Sequence, residues 1–191
     1  MKLAILAPAI LVMAAPFAIA QTSTWKSDPA HSEVDFTIKH MALSNVHGRF
    51  GAVDATLVWD EQDPTKSTVN ATIDVTGVDT GVPNRDNDLK GARFFDVANN
   101  PKATFVSTSV TKGGAGLRVN GNLTIKGVTK PVVLDVDGPT GPVTGMNKKP
   151  HTGFSATTTV NREDFGIGAG MPVAMLGDDV KITIELDFSK Q

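Results

Sequence analysis

Apolar and polar residues alternate for four or more cycles along five separate stretches of this chain, and no stretch of comparable length carries helical spacing. The C-terminal stretch is the clearest. Val180, Ile182, Ile184, Leu186 and Phe188 share one parity, and Lys181, Thr183, Glu185, Asp187 and Ser189 share the other. Successive side chains of a strand point to opposite faces, so each such stretch has one dry face and one wet face. A chain built almost wholly from strands of this kind must curl its sheet around a shared apolar interior. That interior is either a packed core or a pocket for an apolar ligand, and the choice between them is the functional question.

The same alternation places Val34, Phe36 and Ile38 on one face, then Val53, Ala55, Leu57 and Trp59, then Val69, Ala71, Ile73 and Val75. Gly48 and Gly51 between the first two sets predict a bulge or sharp bend. Leu117, Val119, Gly121, Leu123 and Ile125 form another face, followed by Val132, Leu134 and Val136, and by Phe154, Ala156, Thr158 and Val160. Residues 103–110 read as a strand whose inner face the pattern does not reveal. Asn84 to Lys90 opens with capping residue types, and Leu89, Phe94 and Phe95 follow at a spacing that predicts a short helix ended by Pro101. Gly138 to Pro150 reads as a loop, and residues 161–179 as a second irregular connection. About eight short strands separated by turn signals predict an all-β fold, an eight-stranded antiparallel barrel with one or two short helices in its connecting loops. Eight strands enclose either packed side chains or one small ligand.

Residues 1–20 fall outside this pattern. Lys2, the apolar run from Leu3 to Ala18 and the small-x-small sequence Ala18-Ile19-Ala20 predict a signal peptide removed after Ala20. A spanning helix needs about 20 uninterrupted apolar residues, whereas this run is shorter and contains Pro8 and Pro16. Residues 21–191 are then expected to form one exported domain, long enough to bury a core without disulfides. The leader and the absence of cysteine together predict a periplasmic location. The formal net charge is −2 and the basic residues are scattered, so the electrostatic footprint of a nucleic-acid-binding protein is missing. With no tyrosine and few aromatics, stacking platforms for bases or sugars are disfavoured. Small molecules, lipids or other proteins remain as partners, and a homodimer stays open.

Polar chemistry is sparse. The histidines are His31, His40, His47 and His151, and they lack the spacing and partners of a metal site. His40 shares the parity of Phe36 and Ile38 and is expected near one end of the interior. It is either an ordinary hydrogen-bonded histidine or a polar anchor for a ligand head group. No nucleophile elbow is present, and Gly166-Ile167-Gly168-Ala169-Gly170 does not join a strand to an opening helix as a nucleotide loop would. No catalytic residue and no required cofactor are expected. Arg85, Asp86 and Asp88 read as capping and salt-bridging groups. Arg162, with Asp164 nearby, reads as a lock on a turn rather than a substrate contact. Phe94, Phe95, Met171, Met175 and Leu176 place apolar and flexible side chains in loops. They form either a plug for the barrel end or a lid and entrance that touches a membrane transiently.

Several distinct motifs follow one another along the chain: Asp28-Pro29-Ala30-His31-Ser32, the run Val34 to His40, and Ser44-Asn45-Val46-His47-Gly48-Arg49-Phe50. Asn84-Arg85-Asp86, Phe94-Phe95-Asp96-Val97 and the run Gly121 to Pro131 follow, then Gly153 to Ala156, Asn161 to Gly166 and Gly177 to Ile182. In combination these motifs resemble the YceI-like family of periplasmic polyisoprenoid-binding, lipocalin-like barrels, over nearly all of residues 21–191. The resemblance implies a non-enzymatic carrier holding a polyisoprenoid or an isoprenoid quinone in an apolar tunnel. Phe36, Ile38, Val75, Leu123, Ile125, Phe154, Ile184 and Leu186 would line that tunnel, with His40 at a polar end. The alternative is an accessory protein or enzyme acting on a bound quinone, with His31, His40 or Arg85 beside the head group. One departure is visible: Asp88 stands where the family commonly carries histidine.

Overall fold

The computed structural model of the chain describes residues 22–114 and 116–191. The expected leader at 1–20 lies outside the described residues. Ten strands are present among them: β1 (Thr22–Ser27), β2 (Glu33–His40), β3 (Ser44–Arg49), β4 (Val53–Asp60), β5 (Thr68–Asp74), β6 (Lys102–Gly113), β7 (Gly116–Ile125), β8 (Val128–Thr144), β9 (Pro150–Asn161) and β10 (Leu176–Lys190). One α-helix, α1 (Pro83–Lys90), interrupts the long connection between β5 and β6.

Eight of the strands close an antiparallel barrel in the order β1-β4-β5-β6-β7-β8-β9-β10, with β10 returning to β1. The remaining two form the hairpin β2–β3, which shares an edge of β10 with β1. Ser27 to Trp25 of β1 pair with Phe188 to Lys190 of β10, while β2 pairs with Leu176 to Glu185. One long strand therefore serves two partners on one edge and β9 along the other. The alternation in β10 accounts for this role: its inward residues meet a common interior whichever strand lies beside it.

Four features differ from the sequence reading. First, β1 was absent from it, because only Trp25 and Ser23 mark its inner face and six residues are too few for a visible period. Second, residues 33–50 are two strands joined by a tight turn, not one strand and a bend. Third, residues 138–150 are largely strand. β8 continues to Thr144, and register shifts at Asp137/Thr140 and Thr140/Val143 absorb its glycines and prolines. Such shifts break alternation without breaking the ladder. Fourth, α1 ends at Lys90, where the Gly91 amide bonds to the Asp88 carbonyl, so Phe94 and Phe95 lie in the turns beyond it. Its N-cap is Val82, with Pro83 at the first helical position where a missing N–H costs nothing. Asp86 reaches back to accept the Thr80 amide at 2.8 Å.

The silence of β6 also has a cause. Ala103 and Phe105 are buried, and so is Val110, which has the opposite parity. A register shift between Ser107 and Ser109 moves the inner face from odd to even positions. Two glycines make room for neighbouring rings. A Cβ at Gly121 would collide with the ring of Phe105, and one at Gly48 with that of Phe36.

The barrel has two distinct ends. The connections around α1, the β7–β8 turn, residues 162–176 and the β2–β3 turn gather at one, called the mouth below. The opposite end is floored by Trp25, Ala55, Leu57 and Phe188. There Trp59 stands edge-on to Phe154 at 5.7 Å, and Phe154 to Phe188 at 5.9 Å. Beside this floor the buried carboxylate of Asp60 accepts the amides of Gln62 and Asp63, fixing the β4–β5 connection.

Candidate functional site

The inward faces of the barrel do not fill it. A cavity of about 410 Å³ remains, bounded by residues from both ends of the barrel, a size within the range of roughly 300–1,000 Å³ typical of small-molecule sites. Strand β9, with 12 residues, is about 40 Å long. At the usual tilt its axial extent is about 30 Å, so the interior is shaped for an elongated guest.

Every residue expected at the tunnel wall borders this space. Phe36 and Val75 lie toward the mouth with Ile125, while Leu123, Ile184 and Leu186 continue the wall and Phe154 reaches the floor. Ile38 and His40 border the cavity at the C-terminal end of β2. His40 is exposed at the rim rather than enclosed. The five loop residues border it as well: Phe94, Phe95, Met171, Met175 and Leu176. Phe95 is buried and stands edge-on to Phe50 at 5.5 Å, which in turn contacts Phe36 at 5.2 Å. These rings tie the α1 connection to the wall. Met175, by contrast, is half exposed.

Polar groups border the cavity only sparingly. At the mouth are His40, Arg85, Asp88 and Arg162, with Thr158 on the wall of β9 below them. The Arg85 Nε donates to the Thr80 hydroxyl at 2.7 Å and its Nη2 to the Thr80 carbonyl at 3.0 Å, which holds the guanidinium against α1's entry loop. Toward the floor are Ser67 and Thr68. Sequence reasoning placed no polar group at that end, because Ser67 and Thr68 carry no signal beyond ordinary strand-end chemistry.

The other histidines are elsewhere. His31, expected near a head group under the quinone-acting alternative, lies outside the barrel wall and pairs with Asp28 at 3.0 Å. His47 meets the Thr37 hydroxyl at 3.0 Å, and His151 meets Asp187 at 2.8 Å. No group of three or more His, Cys, Asp or Glu able to hold a metal occurs among the described residues. The carboxylate of Asp28 raises the His31 pKa above 6.5, and the His31 hydrogen bond lowers that of Asp28 below 3.8. A raised histidine value stabilises the fold below about pH 6.5 and loses that effect as pH climbs through the folded-state value. A lowered carboxylate value stabilises above about pH 4 and loses it in acid. The pair therefore contributes between these limits. Asp28→Asn is expected to return the His31 titration, followed by NMR, to about 6.5; an unchanged titration would disprove the pairing.

What holds the mouth together is Arg162, which the sequence reading assigned to turn locking and the structure buries to 1% exposure. Its Nε donates to the Gly177 carbonyl, Nη1 to those of Ile167 and Gly168, and Nη2 to Met171 and Leu176. Nη2 also meets the Asp178 carboxylate at 2.8 Å. The whole connection between β9 and β10 is thus wrapped around one guanidinium. Lys126 adds a second tie, donating to the carbonyls of Ala92 and Gly166 and so linking the loop after α1 to the loop after β9.

The geometry and the sequence agree with a known family. The YceI-like domain model matches residues 25–188. The chain belongs to the YceI-like family. Among its relatives, Protein YceI of Escherichia coli O17:K52:H18 is 36% identical over 181 residues, spanning 93% of this chain and 92% of the relative. The crystal structure of a Campylobacter jejuni YceI protein shares 31% identity and a TM-score of 0.71, covering 81% of this YceI-like chain and 90% of that one. A polyisoprenoid binding domain from Saccharophagus degradans has a TM-score of 0.64 at 14% identity, over 87% of this chain and 98% of its own. That last likeness is one of fold.

Proposed function

We propose that this YceI-like protein is a periplasmic, non-enzymatic carrier that holds one polyisoprenoid or isoprenoid-quinone molecule along the barrel axis. The observation that carries the reading is the cavity itself: elongated, walled mainly by aliphatic and aromatic side chains, with its few polar groups other than Thr158 gathered toward the two ends. A long apolar tail with a small polar head matches that distribution, the head meeting His40, Arg85 and Asp88 at the mouth. The polyisoprenoid-binding domain of similar fold supports the class of ligand. The signal-peptide pattern of residues 1–20, expected to be a removed leader, supports export to the periplasm. No cofactor is needed for holding or releasing a lipid.

An empty apolar cavity is costly. At about 24 cal/mol per Å³ of void, one of this size corresponds to on the order of 10 kcal/mol. That is comparable to the whole stability of a domain, about 5–15 kcal/mol. A guest that fills the space recovers much of this. Yet its natural reference state is a bilayer where the tail is already dry, so exchange between membrane and barrel lies near balance, as a carrier requires.

Solvent extraction of protein purified from its native host, followed by mass spectrometry, is expected to yield near-equimolar isoprenoid lipid. The stripped protein should melt at a lower temperature and recover on adding the lipid. Recovery of no lipid, together with no uptake of offered isoprenoids, would overturn the reading.

A further inference from the structure

We infer that the mouth of the barrel carries a bilayer-docking collar, formed by the tip of the β2–β3 hairpin and the loop preceding β10. The inference deepens the carrier reading and rests on it for the reason docking is needed. Leu43 is 80% exposed, Val173 62%, Met175 53% and Met41 50%. The Met41 amide donates to the Met175 carbonyl at 3.0 Å, and Leu176 pairs with His40. The two loops are therefore one surface. Met175 and His40 also border the cavity, so this surface is continuous with its entrance.

The hairpin tip has an unusual composition for its backbone. Met41 and Ala42 both have positive φ, 53° and 55°, and the Leu43 amide bonds to the His40 carbonyl across them. Two successive left-handed positions in a hairpin turn favour Asn-Gly. Here they carry apolar side chains in a strained conformation that presents Met41 and Leu43 to solvent. A tip designed only to turn the chain in water has no use for this.

The geometry favours a bilayer over a protein as occupant. Four side chains on two loops fall well short of the ~800 Å² per partner that a standard protein interface buries. Interfacial anchoring needs only a shallow set of apolar side chains sunk into the headgroup boundary. A tail leaving a membrane for a barrel that stands off in water would expose every methylene on the way. A collar seated in the bilayer removes that gap.

The test is flotation of the full mature protein, free of lipid, with phosphatidylcholine vesicles. The wild type should partition onto vesicles and stay bound in high salt, since apolar insertion is not screened. Met41→Asn, Leu43→Ser and Val173→Ser, combined, remove exposed side chains that do not border the cavity. This variant is expected to partition at least tenfold more weakly while binding a soluble short-chain isoprenoid as the wild type does. Asn also suits the left-handed position, so the variant's melting temperature should not fall. Val143→Ser with Met146→Ser, exposed apolar residues at the opposite end, should leave partitioning unchanged.

Partitioning of the triple variant within twofold of wild type would overturn the collar. So would an equal loss in the opposite-end control. Wild-type self-association abolished by the triple variant, with no vesicle binding, would assign the surface to a second copy instead and also overturn it. Because flotation needs no cargo, a protein that docks but accepts no isoprenoid would uphold the collar while the carrier reading fails.

Discussion

Arg162→Met is expected to destabilise the protein by about 3–5 kcal/mol, the usual cost of breaking a buried charged network. For a domain of this length that corresponds to roughly 10 °C in melting temperature. Methionine fills similar volume but donates nothing. The carbonyls of Ile167, Gly168, Met171, Leu176 and Gly177 would then lose their shared donor, and Asp178 would lose its partner. Arg162→Lys retains the charge but not the planar fork, and should recover only part of the loss. Calorimetry of the two variants checks this. A drop below about 1 kcal/mol for the methionine variant would show that the guanidinium is an ordinary surface group. Because the residue also borders the cavity, loosening its loop should speed lipid release as well.

Ala156→Trp is expected to abolish lipid uptake without unfolding the barrel. Ala156 is buried midway along β9, between Val136 on β8 and Ile184 on β10, and it borders the cavity. In a solid core an added indole costs about 1–3 kcal/mol or more through overpacking. Here it enters existing space, so the lipid-free melting temperature should hold or rise. Displacing about five methylenes of guest at ~0.8 kcal/mol each removes about 4 kcal/mol, roughly a thousandfold in affinity. Titration with a short soluble isoprenoid measures it. A variant that still binds would show that the guest does not occupy this depth, and one that unfolds would show that the interior is not hollow there.

Much of the fold was legible because β-alternation survives in sequence. Val34-Phe36-Ile38, Leu117 to Ile125 and Val180 to Phe188 each declared their inner faces, and those faces do meet in one interior. Legibility failed where the ladder is irregular. β6 changes parity at its bulge, and β8 carries its pairing through shifts at Asp137, Thr140 and Val143. β1 is too short to show a period. The wall residues Phe36, Ile38, Val75, Leu123, Ile125, Phe154, Ile184 and Leu186 were nameable from parity alone. His40 was placed at the rim by its shared parity with Phe36 and Ile38, whereas His31 precedes β2 and so has no strand parity to say which side of the wall it occupies.

By itself the chain determined that its strands have one dry face each, that those faces converge, and that the family is YceI-like. Alternation and local motifs are properties of neighbouring residues, and neighbours are what a sequence records. Only the tertiary structure decided that the converging faces stop short of filling the barrel, that β10 is shared by β1 and β2, and that one guanidinium gathers five carbonyls at the mouth. Those outcomes depend on barrel circumference and on contacts between residues distant along the chain, and no local pattern encodes a distance across empty space.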